Sequence, residues 1–139
     1  MRHERTVTSL YKRHENCTGG RCFYCSMPAS TIDHIPAVSA VESLGVDVFN
    51  ELVFVTCCLE CNSELGNRWL NSVAERSGYL KAVYQRKYAA ALRMPDWDKE
   101  ELDSIDGTTL RSSIEAGLKL RDVQRARVAY LTDVTAMYS

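Results

Sequence analysis

Two Cys-x-x-Cys pairs constrain the fold of this chain more than any other feature. The first pair is Cys22 and Cys25, the second is Cys58 and Cys61, and 32 residues lie between them. This is the spacing of two zinc knuckles, because four soft thiolates satisfy a tetrahedral zinc ion completely. A site with four sulfur ligands has no open position, so the sequence predicts a structural Zn²⁺ and not a catalytic one.

The two remaining cysteines leave alternatives open. Cys57 also reaches Cys61 at a wider spacing, although the tighter repeat favours Cys58 as the ligand. Cys17 has no partner in either pair and is interpreted as a packing residue or an incidental thiol. Buried free thiols or a redox pair would explain one Cys-x-x-Cys, but two independent pairs favour a metal.

Length and composition predict one globular domain with a helical appendage. Of the 139 residues, 45% are hydrophobic and 25% are charged, and both fractions are ordinary for a globular protein. No apolar run approaches the ~18 residues that cross a bilayer, and no secretory signal follows the polar N-terminus. We therefore expect a cytoplasmic protein without membrane contact, in which clustered cysteines bind metal and do not form disulfides.

Hydrophobic patterning predicts an α+β fold with two short strands between the cysteine pairs. The segment Ser30–Ile35 is rich in β-branched residues and should end at Pro36, which lacks a backbone donor. The clearest strand of the chain is Leu52–Thr56. Between them, residues 37–48 should form a loop or a short helical turn. Residues 1–16 are assigned as a short helix or an arm.

A helical region is predicted after the second cysteine pair. Apolar residues follow a 3.6-residue period from Trp69 to Leu92, and Gly78 is the expected place of a kink or a break in this stretch. Asp96 is the expected N-cap of the next helix, and residues 109–133 should form the last one.

These elements divide the chain into two predicted parts. A core over residues 1–94 contains the cysteines and both strands, and a helical extension covers residues 95–139. A separate hypothesis is an interaction protein whose C-terminal helices, residues 96–134, form a homodimer.

Charge is distributed in segments along the chain. The net charge is -1, but residues 26–61 carry five Asp/Glu and no Lys/Arg, and residues 62–94 carry six Lys/Arg and two Asp/Glu. A nucleic-acid-binding protein is usually basic overall. The second segment nevertheless allows a local basic face, and solvated helix surfaces explain the same charges equally well.

A further group of motifs surrounds the strands in a characteristic order. The run from Thr31 to Pro36 (Thr-Ile-Asp-His-Ile-Pro) follows the first pair, Asn50-Glu51-Leu52-Val53 precedes the second, and Asn62 follows it directly. In this order, residues 22–67 resemble the zinc-stapled HNH endonucleases, whose core is a ββα-metal finger. The likeness covers a third of the chain. Asn62 stands where the family name has a histidine, which corresponds to a His-Asn-Asn variant.

The resemblance implies a metal-dependent endonuclease that hydrolyses DNA phosphodiester bonds. His34 would be the general base, since the ordinary pKa of histidine lies near neutral pH. Asp33 and Asn62 would offer oxygen ligands to Mg²⁺ or Mn²⁺, leaving positions for water and phosphate. Asn50 would hold the loop and orient His34.

Each of these residues also has an ordinary structural explanation. Asn62 could cap the following helix, Asn50 could be a turn residue, and Asp33 with His34 could be a surface pair. The alternative function is a zinc-stabilised nucleic-acid-binding or adaptor module without catalysis. The occurrence of all the motifs in one order favours catalysis.

The same resemblance implies that the helix after the second pair lies against DNA. The candidate phosphate-contacting residues are Arg21, Arg68, Arg76 and Lys81. Such contacts position nucleic acid without reading its sequence. The run Asn62-Ser63-Glu64-Leu65-Gly66 is also similar to phage recombination endonucleases, although the Arg-Gly that they carry upstream of the second knuckle is missing. The expected setting is a bacterial or phage-infected cell.

Overall fold

The fold is α+β, with one three-stranded sheet and a helical C-terminal part. The computed structural model describes residues 7–139, so part of the predicted N-terminal arm, residues 1–6, lies outside the described residues. The strands are β1 (Lys12–Arg13), β2 (Thr31–Ile35) and β3 (Val53–Cys57), in the spatial order β1-β3-β2. The α+β class predicted from the hydrophobic pattern is thereby confirmed.

Strands β2 and β3 form the antiparallel centre of the sheet. They pair from Thr31 opposite Cys57 to Ile35 opposite Val53, and their bounds lie within one residue of the predicted strands. β1 runs parallel to β3 and is not predicted. Its two residues are exposed and have no alternating pattern, so only pairing with β3 defines it as a strand.

The segment between β2 and β3 forms a short helix, as one of the two predicted alternatives has it. Helix α1 (Val38–Leu44) is followed by a 3₁₀ turn at Val46–Val48. Gly45 separates them with a φ of 91°, a value that glycine adopts without the strain of a side chain.

The helical region after β3 is broken at a place that the periodicity does not predict. Helix α2 (Leu59–Leu65) and helix α3 (Val73–Lys87) are separated by residues 66–72, and the expected break at Gly78 is wrong. Gly66 ends α2 with a φ of 51°, and Ser72 begins α3 as its N-cap. Gly78 lies inside α3, where a Cβ atom would meet the side chain of Thr135 at 3.9 Å.

Three further helices complete the chain. They are α4 (Ala89–Leu92), α5 (Lys99–Asp103) and α6 (Thr108–Met137). The N-cap of α5 is Asp98, in a capping box with Glu101, and not Asp96 as predicted. Asp96 instead pairs with Arg121 of α6 at 2.7 Å. The last helix extends to Met137, four residues beyond the predicted end.

The buried core joins both predicted parts of the chain. One apolar cluster includes the four paired cysteines, Leu80 and Tyr84 of α3, and Leu131 and Val134 of α6. The extension over residues 95–139 therefore shares its core with residues 1–94. None of the helices in the described part of the chain is both long and apolar enough to cross a membrane.

Removing the N-cap of α3 should weaken the fold by about 1 kcal/mol. The Ser72 side chain accepts the Glu75 backbone N–H at 3.1 Å, and Ser72→Ala leaves that donor without an acceptor. Urea unfolding of both proteins measures the difference. Ser72→Thr is the control, because its hydroxyl keeps both the capping oxygen and the donor to the Glu75 carboxylate. Equal losses in both variants would contradict the assigned cap.

Candidate metal centre and adjoining cavity

The four paired cysteines come together at the joint between the sheet and the helices. Their Sγ atoms all lie within 4.8 Å of one another, and all four residues are buried. The Sγ atoms of Cys25 and Cys58 are 3.7 Å apart. Tetrahedral zinc with Zn–S bonds of about 2.3 Å places its sulfurs about 3.8 Å apart. The cluster therefore has the donor atoms and nearly the spacing that a structural metal such as zinc requires.

Local structure explains why the second pair is held so tightly. Cys58 directly follows β3 and is the N-cap of α2, and its Sγ accepts the Cys61 backbone N–H at 3.4 Å. Helix α2 thus begins inside the knuckle. Asn62 is its fourth residue, so it is neither the helix cap nor the residue at the helix start.

The thiols of the cluster are hydrogen-bonded to one another. These hydrogen bonds lower the pKa of Cys22, with the largest effect from Cys25, and raise the pKa of Cys61, with the largest effect from Cys22. A metal that binds this cluster would displace the thiol protons into the solvent.

The other two cysteines are buried outside the four-sulfur group. Cys57 ends β3, and Cys17 packs in the core with its Sγ accepting the Thr56 backbone N–H at 3.4 Å. The interpretation of Cys17 as a packing residue agrees with this position. All six cysteines are free thiols.

Asp33 lies on the buried side of β2 and forms an ion pair there. Its two carboxylate oxygens each accept a hydrogen bond from Arg76 Nη1 of α3 at 2.9 Å. The Tyr24 hydroxyl, from inside the first knuckle, donates to Oδ2 at 2.5 Å. Asp33 is 6% exposed, Arg76 1% and Tyr24 0%, so the surface-pair interpretation of Asp33 is wrong. The three residues connect the first knuckle, the sheet and α3.

Burial is the largest influence on Asp33 and raises its pKa, although Arg76 and the Tyr24 hydrogen bond act in the opposite direction. The sequence did not predict that Tyr24 and Arg76 contact Asp33. A tyrosine between two metal-binding cysteines is the only local signal that could have indicated this contact.

His34 follows Asp33 on β2 and is half-buried. The strand is regular through both residues, so their side chains leave on opposite sides. The Tyr11 ring contacts the imidazole edge to face, with the centroids 4.8 Å apart. Burial, the largest cause, lowers the pKa of His34, and the charge of Arg76 acts in the same direction while Asp33 opposes it. The neutral imidazole is therefore favoured near neutral pH.

A small cavity at the end of β2 includes both residues. Its volume is about 140 Å³, and it is lined by Asp33, His34, Ser39, Asn67 and Arg76 together with apolar residues. At about 30 Å³ per molecule, it has room for about four waters. The Arg76 Nε is buried and has no hydrogen-bond partner within the described residues.

The other two predicted site residues lie elsewhere. Asn62 is half-buried on α2 and is not among the described residues that line the small cavity. Asn50 is exposed and lines two larger cavities, of about 440 and 370 Å³, which contain neither Asp33 nor His34. Asp33 is already paired, so the ligand set predicted for Mg²⁺ or Mn²⁺ is not assembled in this arrangement.

The predicted phosphate-contacting residues are divided between surface and core. Arg21 and Arg68 are exposed, and the Arg68 guanidinium lies 4.8 Å from the centre of the Tyr79 ring. Lys81 is half-buried. Arg76 is not a surface residue, because its guanidinium neutralises the buried Asp33 carboxylate. The sequence shows that α3 carries an arginine at position 76, but it does not show that Asp33 is its partner.

The lowered pKa of His34 predicts a specific dependence of stability on pH. The unfolded state binds this proton more readily, so stability should fall as pH decreases through the ordinary histidine pKa of about 6.5. Thermal unfolding between about pH 8 and about pH 5 should show a smaller fall for His34→Gln than for the unaltered chain. Parallel curves for the two proteins would contradict it.

No protein-family model, no curated protein and no solved structure matches the chain. The fold and the site therefore define a coarse class. The chain is an α+β protein with a small sheet, a helical C-terminal part and four clustered cysteines that could hold a structural metal such as zinc.

Proposed function

We propose that the chain is a zinc-stapled endonuclease of the HNH type that hydrolyses DNA phosphodiester bonds. In this proposal β2, β3 and α2 form the ββα-metal finger, and the small cavity at the end of β2 is the active site. The observation that carries it is that His34 shares this cavity with the Asp33–Arg76 pair, which Tyr24 connects to the cysteine cluster.

His34 has the properties of a general base in the proposed reaction. Its burial favours the neutral imidazole, which can accept a proton from water. The water oxygen then bonds to phosphorus while its proton moves to the imidazole, and the P–O bond to one ester oxygen breaks, with that oxygen taking a proton from solvent. The negative charge of Asp33, which acts to raise the pKa of His34, would stabilise the imidazolium that forms.

Arg76 has a different part in this proposal from the surface contact that the sequence predicts. Its Nη1 donates hydrogen bonds to Asp33, but its Nε has no hydrogen-bond partner among the described residues. A buried donor of this kind calls for an acceptor, and a phosphate oxygen in the cavity would supply one. Arg21 and Arg68 are exposed and remain candidates for contacts to the flanking backbone.

A nicking assay tests the proposal. Zinc-loaded protein is incubated with supercoiled, linear and branched DNA, with added Mg²⁺ or Mn²⁺ and without it. His34→Ala should reduce cleavage about 10²–10⁴-fold, because it removes the proton acceptor. His14→Ala is the matched control, since His14 lines no part of the small cavity. Thermal melts of both variants establish that they remain folded.

Two outcomes would overturn catalysis at this site. Cleavage that persists undiminished in His34→Ala would place the activity elsewhere or in a contaminant. No cleavage of any substrate with either metal would favour the second candidate, a zinc-stabilised nucleic-acid-binding module. The observation that favours this module is that Tyr24 and Arg76 already bind the Asp33 carboxylate.

A homodimer through the C-terminal helices stays a prediction. The exposed apolar side chains of α6 that a second copy would cover are Leu120, Val123 and Met137.

A further inference from the structure

A buried arginine of the C-terminal helix lies against the cysteine cluster. Arg127 is 3% exposed, and its Nη2 lies 4.0 Å from the Cys58 Sγ and 3.9 Å from the Cys61 Sγ. Its Nη1 donates to Glu60 at 2.7 Å and to Gln124 at 3.1 Å. The guanidinium therefore bridges the second knuckle and α6, across 66 residues of sequence from Cys61.

Tyr84 of α3 contacts the same sulfur from another direction. Its hydroxyl donates to the Cys61 Sγ at 3.0 Å, and the residue is fully buried. The Arg127 guanidinium carbon lies 4.2 Å from the centre of the Tyr84 ring. The two side chains thus pack on each other while both approach one metal-binding sulfur.

The charge of the cluster explains why an arginine would be buried there. A divalent ion bound by four thiolates carries a net charge of about −2, and an uncompensated buried charge is unfavourable. Glu60 adds a further negative charge, which Lys87 and Arg127 share. Arg127 is the cation that directly contacts two of the four sulfurs among the described residues.

The attraction depends on the state of the cysteines. Binding a metal displaces the thiol protons and leaves anionic sulfurs, whereas neutral thiols offer a guanidinium only weak acceptors. Contact between Arg127 and the cluster is therefore most favourable when metal is bound. By linkage, if α6 strengthens metal binding, then bound metal strengthens the docking of α6 to the same degree.

We propose that Arg127 and Tyr84 are outer-sphere partners of a zinc–thiolate centre, and that through them metal binding is coupled to the docking of the C-terminal helix. Arg127 supplies positive charge and Tyr84 supplies a hydrogen bond to the Cys61 sulfur. Neither residue touches the ion, so both act by positioning and neutralising its ligands. This inference concerns the structural metal and does not depend on nuclease activity.

Zinc affinity of the full chain is the first test, measured by competition with a chromophoric chelator. Arg127→Met keeps a long side chain but removes the charge, and it should bind Zn²⁺ about 10–100-fold more weakly. Arg127→Lys retains the charge, so its Zn²⁺ affinity should lie between those of the unaltered chain and Arg127→Met. The matched control is Arg121→Met, which removes another buried α6 arginine whose partners are Asp96, Asp122 and the Met94 carbonyl; its affinity should be unchanged.

Hydrogen exchange of α6 is the second test. Amides of residues 121–137 should be less protected in zinc-loaded Arg127→Met than in the zinc-loaded unaltered chain, while amides of β2 and β3 should keep their protection. Equal protection of residues 121–137 in the two zinc-loaded proteins would contradict the coupling. An unchanged zinc affinity in Arg127→Met, or an equal loss in Arg121→Met, would overturn the proposal.

A third variant keeps the proposal testable if Arg127→Met fails to fold. Tyr84→Phe preserves the ring that packs in the core and removes only the hydroxyl that donates to Cys61. Its zinc affinity should fall by about 10-fold while its helical content is retained. Unchanged affinity in Tyr84→Phe would then be the contrary result.

Discussion

Replacing Cys61 with serine should abolish stoichiometric zinc binding and unfold the core of the chain. Cys61 is fully buried, and its sulfur lies among the other three ligands and accepts the Tyr84 hydroxyl. Structural zinc sites in small domains contribute about 10–16 kcal/mol. The total stability of a domain is only about 5–15 kcal/mol, so loss of the metal should be sufficient to unfold this one.

The buried Cys57 requires a matched design. It ends β3 beside Cys58 and could replace a lost ligand, so both proteins in the comparison should carry Cys57→Ser. The Cys57→Ser protein should retain one zinc ion per chain, and the Cys57→Ser/Cys61→Ser protein should retain none. Atomic absorption measures the metal, and circular dichroism with thermal melting measures the fold. Full zinc content in the double variant would show that the four-sulfur assignment is wrong.

Replacing Arg76 with methionine should destabilise the fold by about 3–5 kcal/mol. The substitution leaves the Asp33 carboxylate buried with only the Tyr24 hydroxyl as a donor. An unpaired buried charge is far less favourable than a neutral group of the same shape. Arg76→Met/Asp33→Asn should therefore be more stable than Arg76→Met alone, because the second change removes the stranded charge.

Urea unfolding of the single and double variants measures this coupling. Arg68→Met is the surface control, with an expected change within about 0.5 kcal/mol. The deficit of Arg76→Met should shrink as pH falls from about 7 towards about 4. Without Arg76, burial raises the Asp33 pKa further, and a carboxyl with a raised folded-state pKa gives stability at low pH that is lost as pH rises. A pH-independent deficit, or one equal to that of Arg68→Met, would contradict the buried ion pair.

The parts of the structure that follow from local patterns were predictable. The Cys-x-x-Cys spacing brings each pair of sulfurs together within a single turn, and the enrichment in residues that favour strands locates β2 and β3 to within one residue. The start of α3 was not predictable from periodicity, because Trp69 and Leu70 fit the same 3.6-residue period although they lie in the loop before the helix. Capping by Ser72 and the conformation of Gly66 decide where the helices stop.

Two parts of the candidate site were predictable: its cysteines, and the position of Asp33 and His34 next to each other on one strand. Asp33 and His34 share a cavity, but Asn62 and Asn50 do not line it. The motif order specifies which residue types are present, and the orientation of each side chain depends on the register of the strand. Asn62 lies one turn into α2 because Cys58 begins that helix earlier than expected.

The amino-acid sequence by itself determined which four cysteines meet and where the two central strands lie, because ligand spacing and strand-favouring composition are properties of short segments. Only the tertiary structure decided that Arg76 neutralises Asp33 and that Arg127 lies against the cysteine cluster. Those contacts join residues 43 and 66 positions apart. They depend on how α3 and α6 pack on the sheet and the knuckles. The local sequence around an arginine does not show whether its side chain is buried or exposed.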